Sequence, residues 1–151
     1  MKWTLISTSS TGIKEYHLTN DNQVILMLKY SIEQQSVRIR VSFANEHLVF
    51  LMEPTGFANR IFIKSAYGVE LGKFLYNSRS KTGNIDINKA VLQYIVIDSN
   101  PFKLIIHKRS RQEPMAVCHL PVNSAGLSIY EYACFVLSVY WYTAVNASNK
   151  V

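Results

Sequence analysis

The side chains that could do chemistry are few in this chain, and the densest group of them is basic. Five of them lie within nine residues of one segment: Lys103, His107, Lys108, Arg109 and Arg111. Clustered positive side chains suit a phosphate or an anionic lipid head group. The plainer interpretation is a solvated hairpin end, because most charged runs are solvated surface. Lys73 flanks another turn and extends the same candidate anion or lipid contact.

Patterns typical of catalysis or metal binding do not stand out. Cys118 and His119 are adjacent, but neighbours on a strand point to opposite faces and cannot form a thiolate–imidazole pair. The four histidines have no ligand spacing with cysteine or acidic residues, which argues against a zinc site. No nucleophile elbow or glycine-rich phosphate loop occurs. The sequence therefore predicts no catalytic residue, no cofactor and no metal, and it favours a protein that is not an enzyme.

Composition narrows the class of protein. The chain has 151 residues, of which 48% are hydrophobic and 17% charged, and its net charge is +6. This length predicts one domain over residues 1–151. A basic balance permits an anionic membrane surface, a phosphorylated ligand or nucleic acid as a partner. Nucleic acid is disfavoured, since the aromatic residues fall in apolar runs and not among exposed basic positions. The oligomeric state stays open.

The N-terminus and the cysteines bear on the compartment. The apolar start ends at Ser7, which is too short for the core of a secretion signal. Two cysteines, Cys118 and Cys134, are too few for a disulfide scaffold. We therefore expect two free thiols in a reducing, cytoplasmic compartment, with a peripheral position at a membrane as an option.

Most of the chain alternates between apolar runs and turn-forming residues, which predicts eleven strands. The predicted strands are 3–7, 14–18, 24–30, 37–43, 47–52, 60–65, 69–77, 84–87, 91–97, 103–108 and 115–120. The clearest alternation places Val37, Ile39 and Val41 on one face and Arg38 and Arg40 on the other. Many short strands at regular spacing indicate a sandwich or a barrel.

A helix is predicted from about Ser128 to Val145. Ser128 and Glu131 have the spacing of a capping box, and Leu127 and Tyr132 have that of a hydrophobic staple. Beyond the cap, the predicted helix is apolar on every side apart from a few polar residues. Such a helix is either deeply buried or lies in a membrane.

The length of this helix allows two main interpretations. A run of about 19 apolar residues approaches the length of a transmembrane tail anchor. Several tyrosines and Glu131 weigh against that, and the strands need something to cover their inner face. A helix about 10–12 Å wide fits inside a barrel of eleven or twelve strands. Burial is therefore favoured, with a tail anchor or an oligomer interface as alternatives.

One hairpin carries Tyr67-Gly68 and then Leu71-Gly72-Lys73. This pattern, with the strand-rich chain and its hydrophobic C-terminal helix, resembles the tubby-like superfamily, in particular its LURP-one-related and phospholipid scramblase branches. The resemblance implies a mainly β protein, a closed antiparallel barrel of about eleven or twelve strands around the helix. It also implies lipid binding. The chain is shorter than a tubby domain, and no motif locates the Lys/Arg pair that holds a phosphoinositide in that family.

These observations lead to one expectation about function and two alternatives. We expect a non-enzymatic binding or scaffold domain that meets an anionic phospholipid or a phosphorylated ligand with its outer basic surface. The first alternative is a small-ligand barrel or an enzyme that uses the lumen. The second is the tail-anchored membrane protein.

Overall fold

A computed structural model describes residues 1–33, 36–54, 60–77, 79–98, 102–109, 111–121 and 127–149. These residues form eleven strands and one helix: β1 Lys2–Thr8, β2 Lys14–Asn20, β3 Gln23–Glu33, β4 Ser36–Phe43, β5 Glu46–Pro54, β6 Arg60–Ser65, β7 Glu70–Asn77, β8 Thr82–Ile87, β9 Ala90–Ile97, β10 Lys103–Lys108, β11 Ala116–His119 and α1 Ile129–Asn149. Each of the eleven predicted strands is present. The predicted bounds of β6 and β10 are those observed.

The strands form one closed barrel in which each strand pairs with the next along the chain. The sequential pairs are antiparallel. The barrel closes where β1 meets β11 in parallel, through the single pair Lys2 and His119. Strand direction alternates along the chain, so the first and eleventh strands must run the same way. The barrel is therefore mixed, and it differs from the predicted antiparallel barrel at this seam.

The strand pattern places apolar side chains inside the barrel and polar ones outside. On β4, Val37, Ile39 and Val41 are buried while Arg38 and Arg40 are exposed. The same alternation holds on β8 and β9. This is the expected consequence of the two-residue repeat of a strand whose one face covers a core.

The core of the barrel is α1. Its residues 133–139 are consecutive, and none is more than 4% exposed. Seven residues make about two helical turns and so face every direction around the axis. Only surrounding strands can bury all of them. Phe135 shows the packing: its ring stacks on Trp3 with centroids 4.5 Å apart and meets the edge of Tyr16 at 5.0 Å. The prediction of a buried helix is confirmed.

Two polar side chains within α1 form hydrogen bonds with backbone carbonyl groups of the helix itself. The hydroxyl of Ser138 donates to the carbonyl of Cys134 at 2.7 Å, and that of Thr143 donates to the carbonyl of Val139 at 2.7 Å. The helix continues to Asn149, past the predicted end at Val145, because neither proline nor glycine is present there to stop it. Among the described residues, no helix combines the length and the hydropathy needed to cross a membrane.

Several ionisable groups of the core are held in their neutral forms by burial. Burial raises the pKa of the Cys118 thiol to about 11 and also raises that of Cys134. It raises the pKa of the Tyr16, Tyr30 and Tyr94 hydroxyls in the same direction. Ionising any of them in place would put a charge in an apolar interior.

Alkaline pH is therefore expected to destabilise the fold. Above about pH 9 the unfolded chain begins to release these protons while the native chain keeps them, so the free energy of unfolding falls as the pH rises. Guanidinium unfolding at pH 7, 9 and 10.5 measures the effect. The double variant Cys118→Ala, Cys134→Ala should show a shallower decline. A free energy of unfolding that stays constant to pH 10.5 would contradict the prediction.

Candidate anion-binding surface at one end of the barrel

The two ends of the barrel differ in which part of α1 they hold. Near the end of β3, the hydroxyls of Tyr30 and Ser128 lie 3.2 Å apart, so α1 begins at that end. At the other end, Phe43 is the last residue of β4. The centroid of its ring lies 4.8 Å from that of Tyr142 and 6.2 Å from that of Trp141. We call this second end the Trp141 end. The turns β2–β3, β4–β5, β6–β7 and β8–β9 and the β10–β11 loop lie there, because strand direction alternates.

Three of the predicted basic residues lie where β10 leads into the β10–β11 loop at the Trp141 end, with Lys108 as the last residue of β10. Lys108, Arg109 and Arg111 are all exposed. The amide of Arg111 donates to the carbonyl of Lys108 at 3.0 Å, which makes a tight turn. His107 lies one residue earlier, half-buried on the wall of β10. The structure therefore brings together Lys108, Arg109 and Arg111, with His107 beside them.

Lys103 is not part of this group. It begins β10 at the opposite end of the barrel, about 17 Å from Lys108 at the usual strand rise. It pairs there with His119, which in turn pairs with Lys2 across the seam. Lys103 is therefore close to the cluster in the sequence but distant from it in the structure.

Lys73 also lies apart from the loop. It faces outward on β7, three strands from β10 and so about 14 Å away across the wall. Its direct partner on β8 is Asp86. A carboxylate opposite the ammonium group reduces what Lys73 offers an anion.

A cation that was not among the predicted site residues joins the loop. Lys89 and Asn88 form the two-residue turn between β8 and β9, with φ of 64° and 50°. Two positive φ values are those of a type I′ hairpin, for which Asn is a good residue. The amide of Arg109 donates to the carbonyl of Val91 at 3.0 Å, which holds the loop against the start of β9. In the sequence, Asn88-Lys89 between two apolar runs is the pattern that indicates this turn and its cation.

We call Lys89, Lys108, Arg109 and Arg111 the basic rim. None of the four forms an ion pair with a residue that the structure describes. Four positive charges at one barrel end therefore remain available to an anion. Only part of this rim was visible in the sequence, since its members come from two different turns.

The β6–β7 hairpin presents apolar groups at the same end of the barrel. Tyr67 is 95% exposed and Val69 61% exposed. Ser65 holds the turn: its amide donates to the carbonyl of Val69 at 2.8 Å, and its hydroxyl accepts from the amides of Tyr67 and Val69. Gly68, at φ 82°, supplies the left-handed residue. This well-bonded turn therefore displays its two apolar side chains to solvent.

The remaining expectations concern reactive groups. Cys118 is fully buried and His119 is exposed, so the two lie on opposite faces of β11 as predicted. The described ranges hold no group of three or more His, Cys, Asp or Glu residues placed to bind a metal ion. Comparison with family models, with curated proteins and with solved structures gives no match for this chain.

Proposed function

We propose that this protein is a non-enzymatic binding domain that attaches to anionic membrane surfaces with the Trp141 end of its barrel. The observation that carries the proposal is the basic rim at the same end of the barrel as the exposed hairpin of Tyr67 and Val69. Cations meet anionic head groups, while an aromatic ring with a hydroxyl suits the interface just below them. Attachment of this kind needs both features at one end of the barrel, and both lie at the Trp141 end.

The electrostatic attraction between the basic rim and an anionic leaflet is large enough to give a measurable affinity. Each Lys or Arg near an anionic leaflet contributes about 1 kcal/mol, so a rim of four contributes about 4 kcal/mol. That corresponds to a preference of about a thousandfold for anionic over neutral lipid. The attraction is screened by salt over about 10 Å at 0.1 M ionic strength.

The resemblance to the tubby-like superfamily stays a prediction. The barrel around a C-terminal helix agrees with it in architecture but is a fold and not a function. Lipid binding is what that kinship would imply. Our proposal does not depend on it, since it rests on the charges and the exposed side chains of the Trp141 end.

Vesicle co-sedimentation tests the proposal. Wild-type protein is expected to bind vesicles with 30% phosphatidylserine at low salt and not pure phosphatidylcholine. The variant Lys108→Glu, Arg109→Glu, Arg111→Glu should lose about a hundredfold or more in affinity. The matched control is Lys29→Glu, Arg38→Glu, Arg40→Glu, whose exposed positions lie on β3 and β4 across the barrel. It changes net charge by the same amount, so it should retain most of the binding.

Two further results separate the proposal from its rivals. Tyr67→Ala should weaken binding with charge unchanged, because it removes the inserted ring. If the two triple variants lose binding equally, net charge and not the rim is responsible, and the proposal fails. Tight binding of a soluble inositol phosphate, with no binding to vesicles, would identify a phosphorylated small ligand instead.

A further inference from the structure

The barrel is not completely filled by α1. A cavity of about 180 Å³ lies between the last turns of α1 and strands β5 to β8. Its walls are apolar, with Phe50 and Ile63 from the barrel and Leu137 from the helix among them. The exposed lining residues Asn88 and Ala144 place its opening at the Trp141 end. This space is smaller than a drug-sized pocket, which is at least about 300 Å³.

A space of this size still admits a small apolar molecule. An engineered apolar cavity of about 150 Å³ stays dry and binds benzene, so about 180 Å³ corresponds to roughly seven carbon atoms. Asn88 stands at the mouth, and Tyr140 and Trp141 add a hydroxyl and an indole N–H group to the lining. The other lining side chains are apolar, so the buried part of a ligand must be mainly hydrocarbon.

A second, open hollow of about 360 Å³ adjoins the cavity on the outer surface. The two share Leu71 and Asn88 as lining residues. Lys73 and Lys89 line the hollow together with acidic residues. Neither lysine forms an ion pair with a described residue, but Lys73 has Asp86 directly opposite it on β8. Lys89 follows Asn88, which stands at the mouth of the cavity, so Lys89 is the cation beside the opening.

From these two adjoining spaces we infer that the protein binds a short-chain anionic amphiphile, with about seven carbons of an unbranched chain in the cavity and its anionic head at Lys89. This goes beyond attachment to a membrane surface, because the ligand is a single molecule taken into the lumen. The chain displaces no packed side chain, and the head stays in contact with water.

A chain-length series tests the apolar part. Titration with hexanoate, octanoate, decanoate and dodecanoate is followed by the fluorescence of Trp141, which lines the cavity, and by calorimetry. Affinity should rise about fourfold for each added methylene and level off at about eight carbons. Absence of binding by every member to a folded protein would overturn the inference.

Two variants with matched controls test the position. Ala144→Trp places an indole at the opening and should weaken octanoate binding at least tenfold, whereas Ala66→Trp, on an exposed turn outside the cavity, should not. Lys89→Glu should weaken the binding of octanoate about tenfold but leave that of octan-1-ol unchanged, and Lys29→Glu should change neither.

Equal affinity of the wild-type protein for octanoate and octan-1-ol would overturn the assignment of an anionic head. Equal binding by the two Trp variants would overturn the cavity as the site. Vesicle binding is a separate measurement, so failure here leaves the rim proposal standing.

Discussion

Replacing Gly72 by alanine is expected to lower the free energy of unfolding by about 3 kcal/mol or more. A Cβ atom at this position would lie 2.1 Å from the carbonyl oxygen of Asp86 and 3.2 Å from the Cα of Ile87. Both atoms belong to the backbone of β8, which pairs with β7 at this point. No side-chain rotation relieves such a contact. The two strands would have to separate and lose hydrogen bonds.

Equilibrium unfolding in guanidinium measures this effect, and Gly68→Ala in the same hairpin is its control. Gly68 has φ 82° but nothing within 4 Å of a Cβ atom, so alanine there costs only conformational strain, about 1 kcal/mol. The comparison separates crowding from backbone preference. Similar losses in the two variants would contradict the crowding argument.

The strands could be predicted because each carries its own local signal. In β4 the alternation of Val37, Arg38, Ile39, Arg40 and Val41 is sufficient to give both the strand and its buried face. The helix start was equally local: the amide of Glu131 donates to the Ser128 hydroxyl at 3.3 Å, and the Ser128 amide donates to the Glu131 carboxylate at 3.4 Å. The capping box is confirmed. Signals of this kind need no knowledge of the rest of the chain.

The seam of the barrel could not be predicted in the same way. It depends on one pair, Lys2 with His119, between residues at opposite ends of the chain. Its parallel direction is a consequence of the odd number of strands, so a count of twelve would have given the antiparallel barrel. An uncertainty of one strand is thus enough to reverse the direction of closure.

The candidate site was predictable only where its residues share a loop. Lys108, Arg109 and Arg111 are neighbours in both sequence and space. Lys103 is close in sequence, but the strand between carries it to the other end of the barrel. Lys89 is far in sequence and arrives by strand pairing. Clusters of charge along a chain therefore have to be checked against strand direction before they are taken as a surface.

The sequence predicts that Glu131 caps the helix, and the structure gives this residue a second role. Its carboxylate is 3% exposed and accepts hydrogen bonds from the Tyr16 hydroxyl and, at 3.2 Å, from the Lys14 ammonium group. These partners lie more than a hundred residues away on β2, so no local pattern reveals them. The cap of α1 is thereby tied to the barrel wall.

Substituting Glu131 by alanine is accordingly expected to lower the free energy of unfolding by about 3 kcal/mol, because it leaves the buried Tyr16 hydroxyl without a partner as well as removing the cap. Ser128→Ala removes the cap and the contact of its hydroxyl with that of Tyr30, and it should cost about 1–2 kcal/mol. Glu15→Ala, a more exposed acid on the same strand as Tyr16, should change stability by less than about 0.5 kcal/mol. Guanidinium unfolding of the three variants measures the differences. If Glu131→Ala costs no more than Ser128→Ala, the tie to β2 contributes nothing, and capping alone explains this buried acid.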